Sequence, residues 1–170
     1  EETQNPRAPK ELRTQLLDFE NNRIQQMDAN GIEFSIQSLN APAVQEVIQV
    51  DAAIDLAQRS NDLLAEQVAR HPNRFAGLGA LPMQDPEAAI VELNRCINDL
   101  GFVGVNVNGF SQKGDIHTHI YYDIPEYRSF WAAIESLDVP FYLHPRNPLS
   151  DQMPMYDGHP WLTYAAWAFA

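Results

Sequence analysis

Cysteine is almost absent: Cys96 is the one thiol in 170 residues. It cannot form an internal disulfide, so a reducing cytoplasm is the expected compartment. Positive charge is also scarce, with 11 Lys and Arg against 23 Asp and Glu and a formal net charge of -12. That field repels nucleic-acid phosphates and anionic membrane surfaces, and an anionic substrate needs a local cation or a metal against it. No apolar run approaches the ~20 residues that cross a bilayer, and no signal peptide precedes the first helix. The sequence contains no G-x-G-x-x-G, Walker loop, G-x-S-x-G or paired C-x-x-C, which removes the usual nucleotide, hydrolase and zinc-ribbon readings. Repeats, low-complexity tracts and an interdomain linker are missing too. The chain opens at Glu1 without methionine and stops mid-pattern at Ala165-Ala166-Trp167-Ala168-Phe169-Ala170, so it reads as cut at both ends.

What is present is ordinary globular composition, with 45% hydrophobic and 20% charged residues. A chain of this size fits one domain, taken as residues 1–170, with room for a core. Apolar positions Leu12, Leu16, Phe19, Ile24 and Met27 predict a helix from Pro9 to Asn30, closed by Gly31. Ile32 to Leu39 alternates and predicts a strand, ended by Asn40-Ala41-Pro42. A helix follows from Asp51 to about Arg70, with Ile54, Leu56, Ala57, Leu63, Leu64 and Val68 on its apolar side; His71-Pro72-Asn73 breaks it. Phe75 to Leu81 reads as a buried strand, Asp85-Pro86-Glu87 as the start of a helix closed by Gly101, and Phe102 to Val107 as a strand. A polar loop holds His117 and His119, Pro125 opens a helix with Phe130, Trp131, Ile134 and Leu137 inward, and Val139 to His144 is the fourth strand. The chain then reads as loop through Gly158, with Pro160 starting another helix. Strands separated by helices predict a parallel sheet with right-handed crossovers, either a small open α/β sheet or half of an eight-stranded barrel.

In either architecture, chemistry collects at the carboxyl ends of the strands. Ser38, Asn40, Pro82, Met83, Asn106, Asn108, His144 and Arg146 all lie near such ends. His144 closes the run Val139-Pro140-Phe141-Tyr142-Leu143 and is followed at once by Pro145-Arg146-Asn147-Pro148. Its imidazole suits a divalent metal, or else a hydrogen bond within a core or loop. The planar fork of Arg146 matches a substrate carboxylate, and equally a surface ion pair. Asn108 suits a substrate hydrogen bond or a turn with Gly109. His117 and His119 lack a nearby third ligand and read as solvated; His71 and His159, each before a proline, read as structural. Trp131, Trp161 and Trp167 follow helical patterning and read as packing, as does Cys96.

Several stretches carry a family likeness in sequence order. They are Leu17-Asp18-Phe19-Glu20 with Arg23 and Met27-Asp28, His71-Pro72-Asn73-Arg74-Phe75, and Ala80-Leu81-Pro82. Gly101-Phe102, Val107-Asn108-Gly109-Phe110, Tyr121-Tyr122-Asp123 and VPFYLHPRNP follow, then Tyr156 to Leu162 and Trp167-Ala168-Phe169. Over nearly its whole length the chain resembles the metal-dependent decarboxylases of hydroxylated benzoates in the amidohydrolase superfamily, the γ-resorcylate and 2,3-dihydroxybenzoate decarboxylases. The resemblance implies a distorted (β/α)8 TIM barrel, of which this chain covers about half, strands two to five. It implies a divalent metal, zinc or manganese, at the barrel mouth, with His144 as the fifth-strand ligand and no organic cofactor. The first-strand Glu-x-His ligands, the sixth-strand histidine and the eighth-strand aspartate are expected outside this chain, which then holds no complete site. The implied reaction is reversible, non-oxidative decarboxylation of a small aromatic carboxylate by a homotetramer. Asn108 and Arg146 are the candidate substrate contacts. Two other readings stay open: a superfamily hydrolase of a lactone or cyclic acid, marked by His-x-His in the first strand, and a non-catalytic half-barrel that binds a partner.

Overall fold

The computed structural model describes residues 10–147, Leu149 and residues 151–159. They belong to two compact units, Glu1–Ser35 and Ile36–Ala170.

In the first unit the expected single helix is two, α1 (Lys10–Leu17) and α2 (Asn22–Ala29). Asp18 causes the break. Its carboxylate accepts from the main-chain N–H groups of Glu20, Asn21, Asn22 and Arg23 at 2.8–3.2 Å. A short acidic side chain that satisfies the orphan donors of a new first turn favours a restart over continuation. These donors, Asn21 foremost, hold the Asp18 carboxyl below the usual carboxylate range. Arg23 closes the corner by donating from Nε to Asp18 O at 2.7 Å and from Nη2 to Gln15 O at 2.8 Å. The expected glycine stop holds: Gly31 has φ +68°, and the N–H groups of Gly31 and Ile32 donate back to Asp28 O and Met27 O. That is a Schellman closure, and it consumes the start of the expected strand. Only β1 (Ser35–Gln37), whose Ile36 and Gln37 belong to the second unit, remains extended.

The second unit supplies the sheet and its helices. A single 3-10 turn (Ala43–Glu46) precedes α3 (Val50–Arg70), then come β2 (Phe75–Ala80) and α4 (Pro86–Asn94). Asp85 caps α4 as expected, its Oδ1 accepting from Glu87 N and Ala88 N at 3.0 Å. A π-helical turn (Arg95–Asp99) carries α4 towards Gly101 and β3 (Gly104–Asn108). The segment read as a polar loop is instead an antiparallel hairpin, β4 (Ser111–Lys113) and β5 (Asp115–Ile120), turning at Gly114 with φ +73°. A 3-10 turn (Pro125–Tyr127) leads into α5 (Arg128–Leu137), β6 (Phe141–His144) and a last 3-10 turn (Met153–Tyr156). The readings of a helix from Pro160, and of Trp161 and Trp167 as packing, lie outside the described residues.

The sheet order is β1-β2-β3-β6, with β2–β3 and β3–β6 parallel. Each crossover carries a helix, as the alternation of elements requires. One face of the sheet packs on α4 and α5 through Leu81, Met83, Leu93, Val105, Val107, Tyr127 and Phe130, all buried. Phe141 joins that face against the rings of Phe130 and Trp131, with centroids 5.9 and 4.8 Å away. Strand β2 is built of small residues because α4 and its π turn come very close. A Cβ on Gly77 would meet the Phe102 ring at 2.5 Å, and one on Gly79 would meet Cys96 Sγ at 2.7 Å. Cys96 is fully buried at this contact, and burial pushes its thiol well above the ordinary range, so it packs as expected.

Candidate metal and substrate site at the strand ends

The register fixes which side chains share the second face. Asn106 pairs with Tyr142 and Asn108 with His144, while Val105 and Val107 belong to the core. Paired residues of parallel strands lie on the same side, so Asn106, Asn108, Tyr142 and His144 form one row turned away from α4 and α5.

His144 ends β6 half-buried, with ring Nδ1 2.5 Å from Pro145 O. A carbonyl oxygen can only accept, so Nδ1 carries the proton and the basic lone pair is on Nε2. Metal-binding imidazoles use this arrangement, in which one nitrogen is oriented by a backbone carbonyl and the other coordinates. The donor chemistry of this residue therefore fits a divalent transition metal. Among the described residues, no group of three or more His, Cys, Asp or Glu converges to hold an ion.

Asn108 is 1% exposed. Its Nδ2 donates to Pro42 O at 3.2 Å and Gln45 Oε1 at 3.1 Å, and its main-chain N–H donates to Gln45 Oε1 at 3.3 Å. Its carbonyl accepts from Tyr122 Oη at 2.8 Å, and Tyr122 Oη is 3.0 Å from Ser111 Oγ. Burial raises the Tyr122 phenol far above its ordinary value, so it serves as a neutral donor here. Asn108 does not simply cap a turn; it is a junction between β3, the Ala43–Glu46 turn and the hairpin.

Arg146 is buried rather than on the surface, and it forms no ion pair within 4.0 Å of a carboxylate among the described residues. Its Nη1 donates to Phe110 O at 2.8 Å and Gln45 O at 3.2 Å, and its Nη2 donates to Gln112 Oε1 at 2.9 Å. The guanidinium lies 4.1 Å from the Phe110 ring centroid. Desolvation lowers its pKa, with the negative charge of Glu46 opposing that shift. The fork read as a carboxylate grip is engaged by the chain's own oxygens and fastens the loop after His144 to the hairpin.

Gln45, Gln112 and Ser111 belong to no motif in the sequence, and Tyr122 stands there only within the family-like stretch Tyr121-Tyr122-Asp123, with no role assigned to it. Strand-end residue Met83 is buried in the core, and its carbonyl accepts from the Tyr127 hydroxyl. The other histidines stay apart from the row. His117 and His119 are exposed on β5; His117 Nδ1 is 3.9 Å from Asp151 Oδ2, and His119 packs edge-on to Phe110 and Tyr121. His71 ends α3 and packs edge-on to Phe75. An apolar pocket of 320 Å³ lies by Phe141, Leu143 and Trp131, residues that alternate with His144 or belong to α5, and so is not this site.

The amidohydrolase family model matches residues 14–165. The chain belongs to the amidohydrolase family. It is 60% identical over 161 residues to the γ-resorcylate decarboxylase of Rhizobium radiobacter, covering 95% of this chain and 49% of that protein. Against the γ-resorcylate decarboxylase of Rhodococcus jostii (strain RHA1) it is 56% identical, covering 94% and 50%. Among solved structures, the dihydroxybenzoic acid decarboxylase of Polaromonas sp. JS666, with bound manganese and the inhibitor 2-nitroresorcinol, is 54% identical with a TM-score of 0.88. That match covers 95% of this chain and 50% of the Polaromonas chain. A 2,6-dihydroxybenzoate decarboxylase complexed with 2,6-dihydroxybenzoate is 56% identical, with a TM-score of 0.86 over 95% of this chain and 51% of that one. The chain therefore spans about half the length of the relatives it matches, and its sheet and helices make up about half of an amidohydrolase barrel. Among the described residues, no helix is long and apolar enough to cross a membrane.

Proposed function

We propose that this chain is part of one barrel domain of a metal-dependent carboxy-lyase that removes the carboxyl group of a dihydroxybenzoate of the resorcylate type. The observation that carries the proposal is the placement of His144. Its imidazole ends β6 beside Asn108, and Nδ1 is oriented by Pro145 O so that the lone pair is on Nε2. A divalent ion held in part by His144, manganese or zinc, would supply Lewis acidity for the substrate carboxylate. The manganese in the Polaromonas relative supports that ion class, and no organic cofactor is required.

Within this segment, His144 contributes one nitrogen ligand. Asn108 and Arg146 shape the substrate side: Asn108 through its remaining oxygen, and Arg146 by holding the loop after β6 in place. The remaining ligands and the proton donor belong, in this proposal, to other strands of the intact barrel. The proposal extends to a cytoplasmic homotetramer acting on a small aromatic carboxylate, with neither nucleic acid nor a membrane as partner, in keeping with the net charge of -12.

The test is His144→Ala in the protein at its full native length, read by metal content and by CO2 release from 2,6-dihydroxybenzoate. Metal affinity and turnover should both fall by on the order of 100-fold or more, beyond the loss typical of outer-shell changes. Unchanged metal content with unchanged turnover would sink the assignment.

A further inference from the structure

The Asn108 carboxamide can lie in two orientations that exchange oxygen and nitrogen, and its neighbours decide between them. Gln45 Oε1 is 3.1 Å from Nδ2 and Pro42 O is 3.2 Å away, so two acceptors face one end of the amide. Gln45 is itself oriented, because its Nε2 donates to Leu81 O at 2.8 Å and its main-chain oxygen accepts from Arg146 Nη1 at 3.2 Å. Flipping Asn108 would set its oxygen against two acceptors with no proton between them. The nitrogen therefore stays with Gln45 and Pro42, and Oδ1 is the end left over. Oδ1 is buried with no hydrogen-bond partner among the described residues, on a side chain in the row with His144. Buried polar atoms in this state are the exception in folded proteins, and here the unmet need is for a donor.

We propose that Gln45 is a positioning residue that fixes Asn108 as a hydrogen-bond acceptor towards the ligand, so that this position selects a ring hydroxyl over a bare ring position. The inference rests on the hydroxybenzoate reading and adds which group of the ligand meets Asn108. An acceptor oxygen repels carboxylate and phenolate oxygens alike and gains from a neutral O–H. Gln45 does not touch the ligand; it acts by holding the polarity of the amide that does.

The experiment uses the metal-loaded protein at full native length and reads dissociation constants by calorimetry for 2,6-dihydroxybenzoate and 2-hydroxybenzoate. The two probes differ by one hydroxyl. The unaltered protein should prefer the dihydroxy ligand by about tenfold, the ratio one hydrogen bond sustains. Gln45→Leu removes the acceptor that orients Asn108 and should shrink the preference to about twofold. Gln45→Glu keeps an oxygen opposite Asn108 and should retain the preference. If Gln45→Leu weakens both ligands equally and leaves the ratio intact, Gln45 is only structural and the inference fails. Loss of the preference in Gln45→Glu also overturns it. Should Gln45→Leu not fold, Gln45→Met, of similar length and without an acceptor amide, takes its place with the same expected ratio. If the unaltered protein binds neither probe and releases no CO2, the hydroxybenzoate reading itself fails and takes the inference with it. A protein that decarboxylates normally with an unchanged ratio in the variants isolates the failure to Gln45.

Discussion

Replacing Arg146 with methionine separates the two roles open to its guanidinium. In the ligand-free protein the side chain makes three hydrogen bonds, to Phe110 O, Gln45 O and Gln112 Oε1, and stacks on the Phe110 ring. Methionine keeps most of the apolar stem and removes every donor, leaving two carbonyls and one amide oxygen in a buried site. At about 1 kcal/mol for each buried hydrogen bond lost, the three together cost about 3 kcal/mol. Loss of the cation–π contact adds about 1 kcal/mol. Relief of a desolvated charge, which the lowered pKa signals, returns part of this. The net expectation is a loss of about 2–4 kcal/mol in stability without any ligand present. Arg146→Lys should fall between, because one compact ammonium cannot reach three acceptors spread over two loops. The assay is urea denaturation of the ligand-free protein, comparing midpoints at constant slope. Were Arg146 instead a carboxylate grip, the methionine variant would keep its midpoint and lose only ligand affinity. A midpoint within about 0.5 kcal/mol of the unaltered protein would refute the positioning role.

Two further perturbations test the packing and the polar core. Gly79→Ala places a methyl 2.7 Å from Cys96 Sγ and 3.0 Å from its Cβ. Overpacking of this kind should cost about 1–3 kcal/mol, and Cys96→Ala in the same chain should recover part but not all of it, since Cβ remains. Thermal unfolding of the two single variants and the double variant measures the coupling, and strictly additive losses would contradict the contact. The second concerns alkaline pH. Burial pushes the Tyr127 phenol up to about 12, and the charges of Asp85 and Glu126 add to the shift. The folded state then holds this proton more tightly than the unfolded chain, whose phenol titrates near 10. Stability is therefore full below about pH 10 and falls as pH rises towards 12, by up to about 1.4 kcal/mol per unit. Tyr127→Phe should reduce that slope in denaturation midpoints taken between about pH 9 and 11 by one group's share, since Tyr122 and Cys96, whose protons burial also holds, keep contributing; an identical slope in the variant would refute the linkage.

What could be read from sequence follows the range over which each residue acts. Alternating patterns and caps act within a turn or two, so the span of α3, β2, the Asp85 cap, the Gly31 stop and β6 ending at His144 match expectation, although α3 is capped at Gln49 rather than at the expected Asp51 and leaves Leu63 exposed. Asp18 also acts locally, but apolar spacing does not see it. A helix-period stripe passes straight through a residue whose carboxylate gathers four N–H groups and restarts the chain. The hairpin was hidden by polarity. In Asp115–Ile120 the first five residues are exposed, so no apolar face marked it as a strand, and its turn rests on Gly114 alone. The polar junction at the site is the furthest from view. Gln45 meets Leu81, Asn108 and Arg146, which lie 36, 63 and 101 positions away, and several of those contacts use main-chain atoms that every residue possesses. A strand-end histidine announces itself because its chemistry is in its side chain. A glutamine that orients an asparagine becomes visible only once parallel pairing of β2, β3 and β6 brings three distant strand ends around it. The site is therefore legible in its histidine and illegible in its scaffold, and the scaffold is where Gln45 sets what Asn108 presents.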